Sequence, residues 1–474
     1  MSRPACICVR CGVDGIYLAE RVEPPPPASK VWEEDLTRIQ TAPGTRTATY
    51  LAAMTAITLV ASCGDDPLVP GESGYSLGST IECQAGSAAG FSCSNIDLVS
   101  FLRVENLGGG PVPGANPADS VPDITLNDLW GWTDPQTGIE YALVGRRDGT
   151  AFVSLEDPEN PVYLGELFRT VGSPVSNWRD VKVYADHAFI VADRASIHGV
   201  QIFDLRQLRS VSDPPQVFQE TQNYWGIASA HNIVINEATG FAYVVAASEG
   251  GDTCGRGLHM IDVRTPSAPT FAGCFADHST GREGSGYTHD AQCTIYAGPD
   301  EEHAGKEICL GANENALSIA DVTDKQNPEA ISRATYPDFG YVHQGWLSQD
   351  HRFFYVNDET DELRGAAQRT RTLVWDIEDL DDPILANEHL GVTTSTDHNL
   401  YIRDHLMYQA NYRSGLRILD ISDPVNPVEV GFFDTVAGAN DPGFSGAWSS
   451  YPFFQSGIIA FTSRSEGLFV VRMQ

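Results

Sequence analysis

One pattern recurs along this chain and limits what it can fold into: an apolar run, an aspartate, a polar turn ending in proline, then a second strand-like run. It reads "LRILDISDPVNPVEVGFFD" from Leu416 to Asp434, "AFVSLEDPENPVYLGELF" from Ala151 and "LHMIDVRTPSAPTFAGCF" from Leu258. It returns as "LSIADVTDKQNPEAISRA" from Leu317, "TLVWDIEDLDDPILANEHL" from Thr372 and, more loosely, "VQIFDLRQLRSVSDPPQVFQE" from Val200. Upstream lie further pairs of short β-branched and aromatic runs, as in "HNIVINEATGFAYVVAAS" from His231 and "HQGWLSQDHRFFYVND" from His343. Alternation bounded by turn residues argues strands, so one unit holds four strands, a to d, with the aspartate-to-proline turn joining c to d.

Aligned on the first residue of strand a, the units begin at Asn127, Arg179, His231, His289, His343, His398 and Gly446. Seven repeats of this length, each with four strands, predict an all-β fold, a seven-bladed β-propeller. The seventh unit reaches Gln474 after strand c, and "LVSFLRVENL" (Leu98 to Leu107) stands alone before the first. Pairing that segment with "LFVVRM" would close the ring as an N-terminal outer strand and cover an exposed edge. Residues 97–474 are therefore read as the propeller.

Ahead of it, "YLAAMTAITLVASC" (Tyr50 to Cys63) follows Arg38 and Arg46. A positive stretch, a short apolar core and small residues read as a secretion signal. The core is too short for a stable membrane-spanning helix. Its ending resembles the lipobox of bacterial lipoproteins, in which the cysteine becomes the lipidated N-terminus, so Cys63 is the expected lipidation site. Residues 1–62 are then a start placed too early plus the signal, and residues 63–96 a Gly/Ser-rich, lipid-anchored tether. Cys6, Cys8 and Cys11 in the first segment make half a zinc site at best. Beyond Cys63 six cysteines remain, an even number that suits disulfides in an exported chain. Pairing by neighbour gives Cys83 with Cys93, Cys254 with Cys274 and Cys293 with Cys309, although sequence alone leaves other connectivities open.

The formal charge is −33 with only four lysines, a surface that repels nucleic acid and anionic lipid and favours a soluble monomer. No G-x-S-x-G elbow, H-E-x-x-H helix, P-loop or dinucleotide fingerprint occurs.

The repeat "LRILDISDPVNPVEVG" resembles the LVIVD repeat, and the arrangement from Cys63 to Gln474 resembles the choice-of-anchor B family of bacterial surface proteins. That resemblance implies a propeller displayed at the cell surface or envelope, here through a lipid, and implies little biochemistry.

Strand a lines the channel of a propeller, so the residues at its start converge on the axis. Here these include His231, His289, His343 and His398, out of twelve histidines in all, with Asp128, Asp180 and Asp290 beside the equivalent positions. Neutral imidazoles can ligate a divalent metal, with the carboxylates as further ligands or bases. The competing reading is that each histidine hydrogen-bonds the backbone of the neighbouring blade, one structural role repeated four times. Trp130, Trp178, Trp225, Trp346 and Trp448 fall near the same loops, as packing between blades or as a stacking surface for a sugar or peptide. Asp262, Asp321, Asp376 and Asp420 are expected to cap the turns after strand c. Two functions remain: a surface protein binding a protein or glycan partner, or a metal-dependent enzyme with a histidine-lined site at the channel mouth.

Overall fold

The computed structural model describes residues 78–109, 124–438 and 440–474. Cys6, Cys8, Cys11, the signal segment and the lipidation site Cys63 lie outside the described residues.

The turns explain why the repeat folds as it does. Arg264, Thr323, Glu378 and Ser422 donate their backbone N–H to Oδ1 of Asp262, Asp321, Asp376 and Asp420, at 3.1, 2.9, 3.0 and 2.7 Å. Each aspartate thus ends strand c by offering the backbone a carboxylate in place of the next ladder partner. A second aspartate three residues on repeats the move: Asp324, Asp379 and Asp423 accept from the N–H of Gln326, Asp381 and Val425. The proline that follows lacks a donor and starts strand d.

Seven antiparallel four-stranded sheets result. Their innermost strands are Leu126–Thr133, Arg179–Tyr184, Asn232–Asn236, Asp290–Ile295, Val342–Leu347, Asn399–Arg403 and Ala447–Tyr451, for blades 1 to 7. Each innermost strand touches the next, and Ala447–Tyr451 touches Leu126–Thr133, so the circle is complete. Seven apolar clusters among the described residues fill the wedges between successive blades, so each sheet buries both faces. Cys83–Cys93, Cys254–Cys274 and Cys293–Cys309 are joined as disulfides, the neighbour pairing.

The ring closes as the lone N-terminal segment suggests. Ile96–Arg103 pairs antiparallel with Gly467–Met473 and forms the outer strand of blade 7. Ile96, Leu98, Val99 and Leu107 are fully buried there. The Leu107 carbonyl accepts a hydrogen bond from Arg146, whose guanidinium is buried with Asp148 and Glu166 in blade 1.

Two segments differ from their sequence reading. Residues 63–96 read as a tether, yet their described part is built onto the propeller. Phe91–Ser94 pairs with strand d of blade 6 (Val428–Asp434), and the Phe91 ring packs within 5.2–5.7 Å of Phe101, Phe433 and Phe469. In blade 2, the run "QVFQE" was expected as strand d. Gln216–Phe218 instead pairs in parallel with the outer strand of blade 1, and Gln222–Tyr224 takes the fourth place. The cause is the inserted 3₁₀ turn Leu205–Ser210, which carries the chain outward to the neighbouring blade before it returns.

These contacts set the outcome of truncation. Removing residues 96–107 strips several buried side chains worth about 1.5–3 kcal/mol each. That approaches the roughly 5–15 kcal/mol of a whole domain. Such a chain should lose its cooperative thermal melt. Deleting 78–95 should also lower the melting temperature, because Phe91 and Cys93 leave the blade 6 edge; a melt identical to the intact chain would mean the hairpin contributes nothing.

Candidate functional site

Strand a is the inner edge of every blade, so its backbone groups on the axial side have no ladder partner. Side chains from neighbouring blades supply one. His289 Nδ1 donates to the carbonyl of His343 at 2.9 Å, and His398 Nδ1 to that of Trp448 at 2.5 Å. Asn232 Nδ2 donates to the His289 carbonyl at 3.1 Å. Asp180 accepts from the N–H of Ile233 at 2.8 Å, while Gln344 both accepts from and donates to the Leu400 backbone at 2.9 Å. His231 differs, since its Nδ1 faces Asp193 Oδ2 at 3.1 Å. The structural role anticipated for repeated histidines is therefore present at His289 and His398.

The same hydrogen bonds also prepare ligands. An imidazole whose Nδ1–H is held by a carbonyl carries its lone pair on Nε2. The four rings follow one another around the channel wall, tilted, with centroids 4.3 Å apart for His231 and His289, 4.2 Å for His289 and His343, and 4.5 Å for His343 and His398. Burial first, and the crowding of the other histidines second, hold His289 and His343 well below the usual imidazole pKa. Burial brings His398 down to about 3.

Glu359 completes the group. Its Oε2 lies 3.7 Å from His343 Nε2 and its Oε1 3.7 Å from His398 Nε2. Tyr412 donates its hydroxyl to Oε1 at 2.7 Å, and burial raises the Glu359 carboxyl to about 7. Sequence reading missed this residue because it comes from the loop after strand b of blade 5, not from a strand a. The available signal was the acidic run "DETDE" closing the apolar strand "FFYVN".

The seven sequence candidates separate into two layers. Successive residues of a strand point to opposite faces, so Asp128, Asp180 and Asp290 do not join the histidines that flank them in the alignment. They sit one step further along with Lys182, whose Nζ is 2.5 Å from Asp180 and 3.4 Å from Asp128. Burial raises Asp128 well above the usual carboxylate range, with the charge of Lys182 opposing. Burial opposes charge on Asp180 and Lys182 as well, but their mutual attraction prevails: Asp180 is lowered and Lys182 raised. Burial, then the charge of Asp180, lifts Asp290 to about 7.

Beyond this layer the channel opens into a cavity of about 420 Å³. Trp130, Trp346, Tyr451 and Phe453, from blades 1, 5 and 7, wall one side; Asn236, Glu237, Gln292 and Thr294, from blades 3 and 4, line the other. Lys182 also lines it, 4.6 Å from the centre of the Trp130 ring. Of the five tryptophans expected near the histidines, only Trp448 packs on one, at 4.6 Å from His398. Trp130 and Trp346 lie in the cavity instead, Trp225 is exposed, and Trp178 packs under Arg194.

The LVIVD repeat family model matches residues 401–435, which span blade 6. No curated protein matches the chain in sequence. Among solved structures it is similar to a Lactobacillus plantarum protein at 9% identity and TM-score 0.45, covering 72% of this chain and 88% of that one. It is also similar to the β-propeller domain of Myceliophteria thermophila Cps50 (Swd1), at 11% identity and TM-score 0.45, covering 70% and 93%. A functionally unknown protein from Desulfotomaculum acetoxidans matches at 11% identity and TM-score 0.43, covering 82% and 99%. At such scores these neighbours carry nothing about activity.

The Lys182 layer makes a firm prediction. Replacing Lys182 by Met leaves Asp180 buried without its counter-charge, which should cost about 3–5 kcal/mol. Urea unfolding at neutral pH measures it, and a loss below about 1 kcal/mol would mean water already reaches the pair.

Proposed function

We propose that this chain is an exported, lipid-anchored surface protein whose propeller binds a saccharide in the axial cavity. The observation that carries the reading is the cavity itself. Its volume lies in the range of small-ligand sites, and it sets flat rings against hydrogen-bonding side chains. A sugar presents the matching pair of surfaces, a C–H face to stack on tryptophan and hydroxyls for Gln292, Thr294 and Glu237.

Export is supported by three disulfides, which persist in oxidising compartments. No helix among the described residues is long and apolar enough to cross a membrane. The anchor rests on the sequence "TLVASC" and on the resemblance to choice-of-anchor B proteins. The high negative charge suits a soluble surface body and not a nucleic-acid partner.

Two measurements test the reading. Membrane fractionation should find the wild-type chain with membranes and Cys63→Ala in the soluble fraction; equal partition would remove the anchor. On a glycan array the chain should retain a saccharide, and Trp130→Ala should weaken that binding about tenfold, the size of one stacking contact near 1.4 kcal/mol. Retention of no glycan, or unchanged affinity in Trp130→Ala, would overturn the cavity assignment.

A further inference from the structure

We propose that His343, Glu359 and His398, at the opposite end of the channel from the aromatic cavity, bind one divalent transition ion of the zinc class. The group stands apart from the proposed ligand cavity and does not depend on it.

Three donor atoms, one from each residue, lie within 4.8 Å of one another, and all three residues are buried. The two nitrogen-to-oxygen separations of 3.7 Å are too long for hydrogen bonds. They are close to the spacing of adjacent ligands around a tetrahedral ion, roughly 3.4 Å for bonds of about 2.1 Å. The protein alone therefore leaves both Nε2 atoms facing a carboxylate without bonding it. His343 is the clearer case: it is 2% exposed and its Nδ1 makes no hydrogen bond of ordinary geometry, while the nearby His398 carbonyl accepts from Asn357 Nδ2 at 3.1 Å. A buried imidazole held this loosely asks for an explanation, and coordination through Nε2 would fix the ring.

The surroundings suit a cation. The His398 Nδ1–H is held by the Trp448 carbonyl, and Glu359 is fixed by the Tyr412 hydroxyl, the outer contacts that orient metal ligands. Behind Glu359 lie the buried carboxyls of Asp358, Asp361, Glu362 and Asp397, with Arg371 bound to Asp361 and Arg464 near Glu359 as the opposing charges. Both oxygens of Asp397 lack a partner. Acidic groups outnumber basic ones here, which favours a bound cation. Two imidazoles and a carboxylate are borderline donors, matched to Zn²⁺ and its first-row neighbours and not to Ca²⁺, and three protein ligands leave a coordination position open.

The other two metal-compatible groups among the described residues lack these features. Cys254 and Cys274 are consumed by their disulfide. In the Asp300, His303 and Asp381 group, His303 Nε2 is already 3.1 Å from Asp381 Oδ2, and Asp381 is exposed.

The test uses the full chain, stripped with chelator and titrated with Co²⁺ and then Zn²⁺. One Co²⁺ per chain should bind with the visible absorption of a low-coordinate site, and Zn²⁺ should displace it. Glu359→Gln, which preserves shape, should weaken binding at least tenfold, while His303→Asn should leave it unchanged. Absence of stoichiometric binding, or wild-type affinity in Glu359→Gln, overturns the site. X-ray absorption on the Zn²⁺-loaded wild-type chain needs no variant: two imidazoles with an oxygen donor are expected, and a shell without imidazole overturns the proposal even if Glu359→Gln fails to fold.

Discussion

A ring of radial sheets has one unavoidable weak point: the innermost strand of every blade turns its unpaired backbone edge toward the axis. Buried N–H and C=O groups need partners, and the ladder supplies them on one side only. This chain answers with side chains that reach from one blade to the backbone of the next, His289 to His343, His398 to Trp448, Asp180 to Ile233, Gln344 to Leu400. The polar lining of the channel is thus a structural necessity before it is anything else. Chemistry becomes available where a side chain does that work with one atom and keeps another free.

The outer rim poses the same edge problem on the other side, and three devices meet it. The strand Ile96–Arg103 completes blade 7, the hairpin strand Phe91–Ser94 covers blade 6, and Gln216–Phe218 covers blade 1. The first two come from one continuous stretch, so the N-terminal segment ties blades 6 and 7 together. Phe91 at their junction packs on Phe433 of blade 6 and Phe469 of blade 7. An uncovered strand edge is a template for pairing with another chain, so covering these three blades guards against association.

Much of this was legible because the repeat is local chemistry. An aspartate whose carboxylate takes the N–H two residues later, with proline beyond, marks the end of strand c wherever it occurs. The closing strand was legible by subtraction, as the one alternating run left without a unit. The hairpin at residues 87–94 was not, since it is short and rich in glycine and serine, and its anchoring depends on Phe91 meeting rings distant in sequence. The channel was half legible. Repeat alignment located the histidines, but grouping them with their sequence neighbours Asp128, Asp180 and Asp290 ignored the two-residue period of a strand. That period sends position 1 to one layer and positions 2 and 4 to another, which is why Asp180 meets Lys182 and why Trp130 and Trp346 sit in the cavity. Glu359 was invisible to the alignment, because the units were aligned on strand a and it lies in the b–c loop of blade 5, as Asp193, which meets His231, lies in that of blade 2.

The break in the repeat is the more informative part of the channel. If the histidines served only the backbone, each blade could solve the problem alone and no loop acid would be needed. Blade 5 instead sends in Glu359, buries it at a cost that lifts its carboxyl to about 7, and secures it with Tyr412 from blade 6. A carboxyl placed there does nothing for the backbone edges that His289 and His398 already satisfy. The hydrogen bond from Tyr412 offsets only part of the cost of burying the acid. Functional sites are where departures of this kind are expected, and in this channel the departure falls where two imidazole Nε2 atoms face one carboxylate.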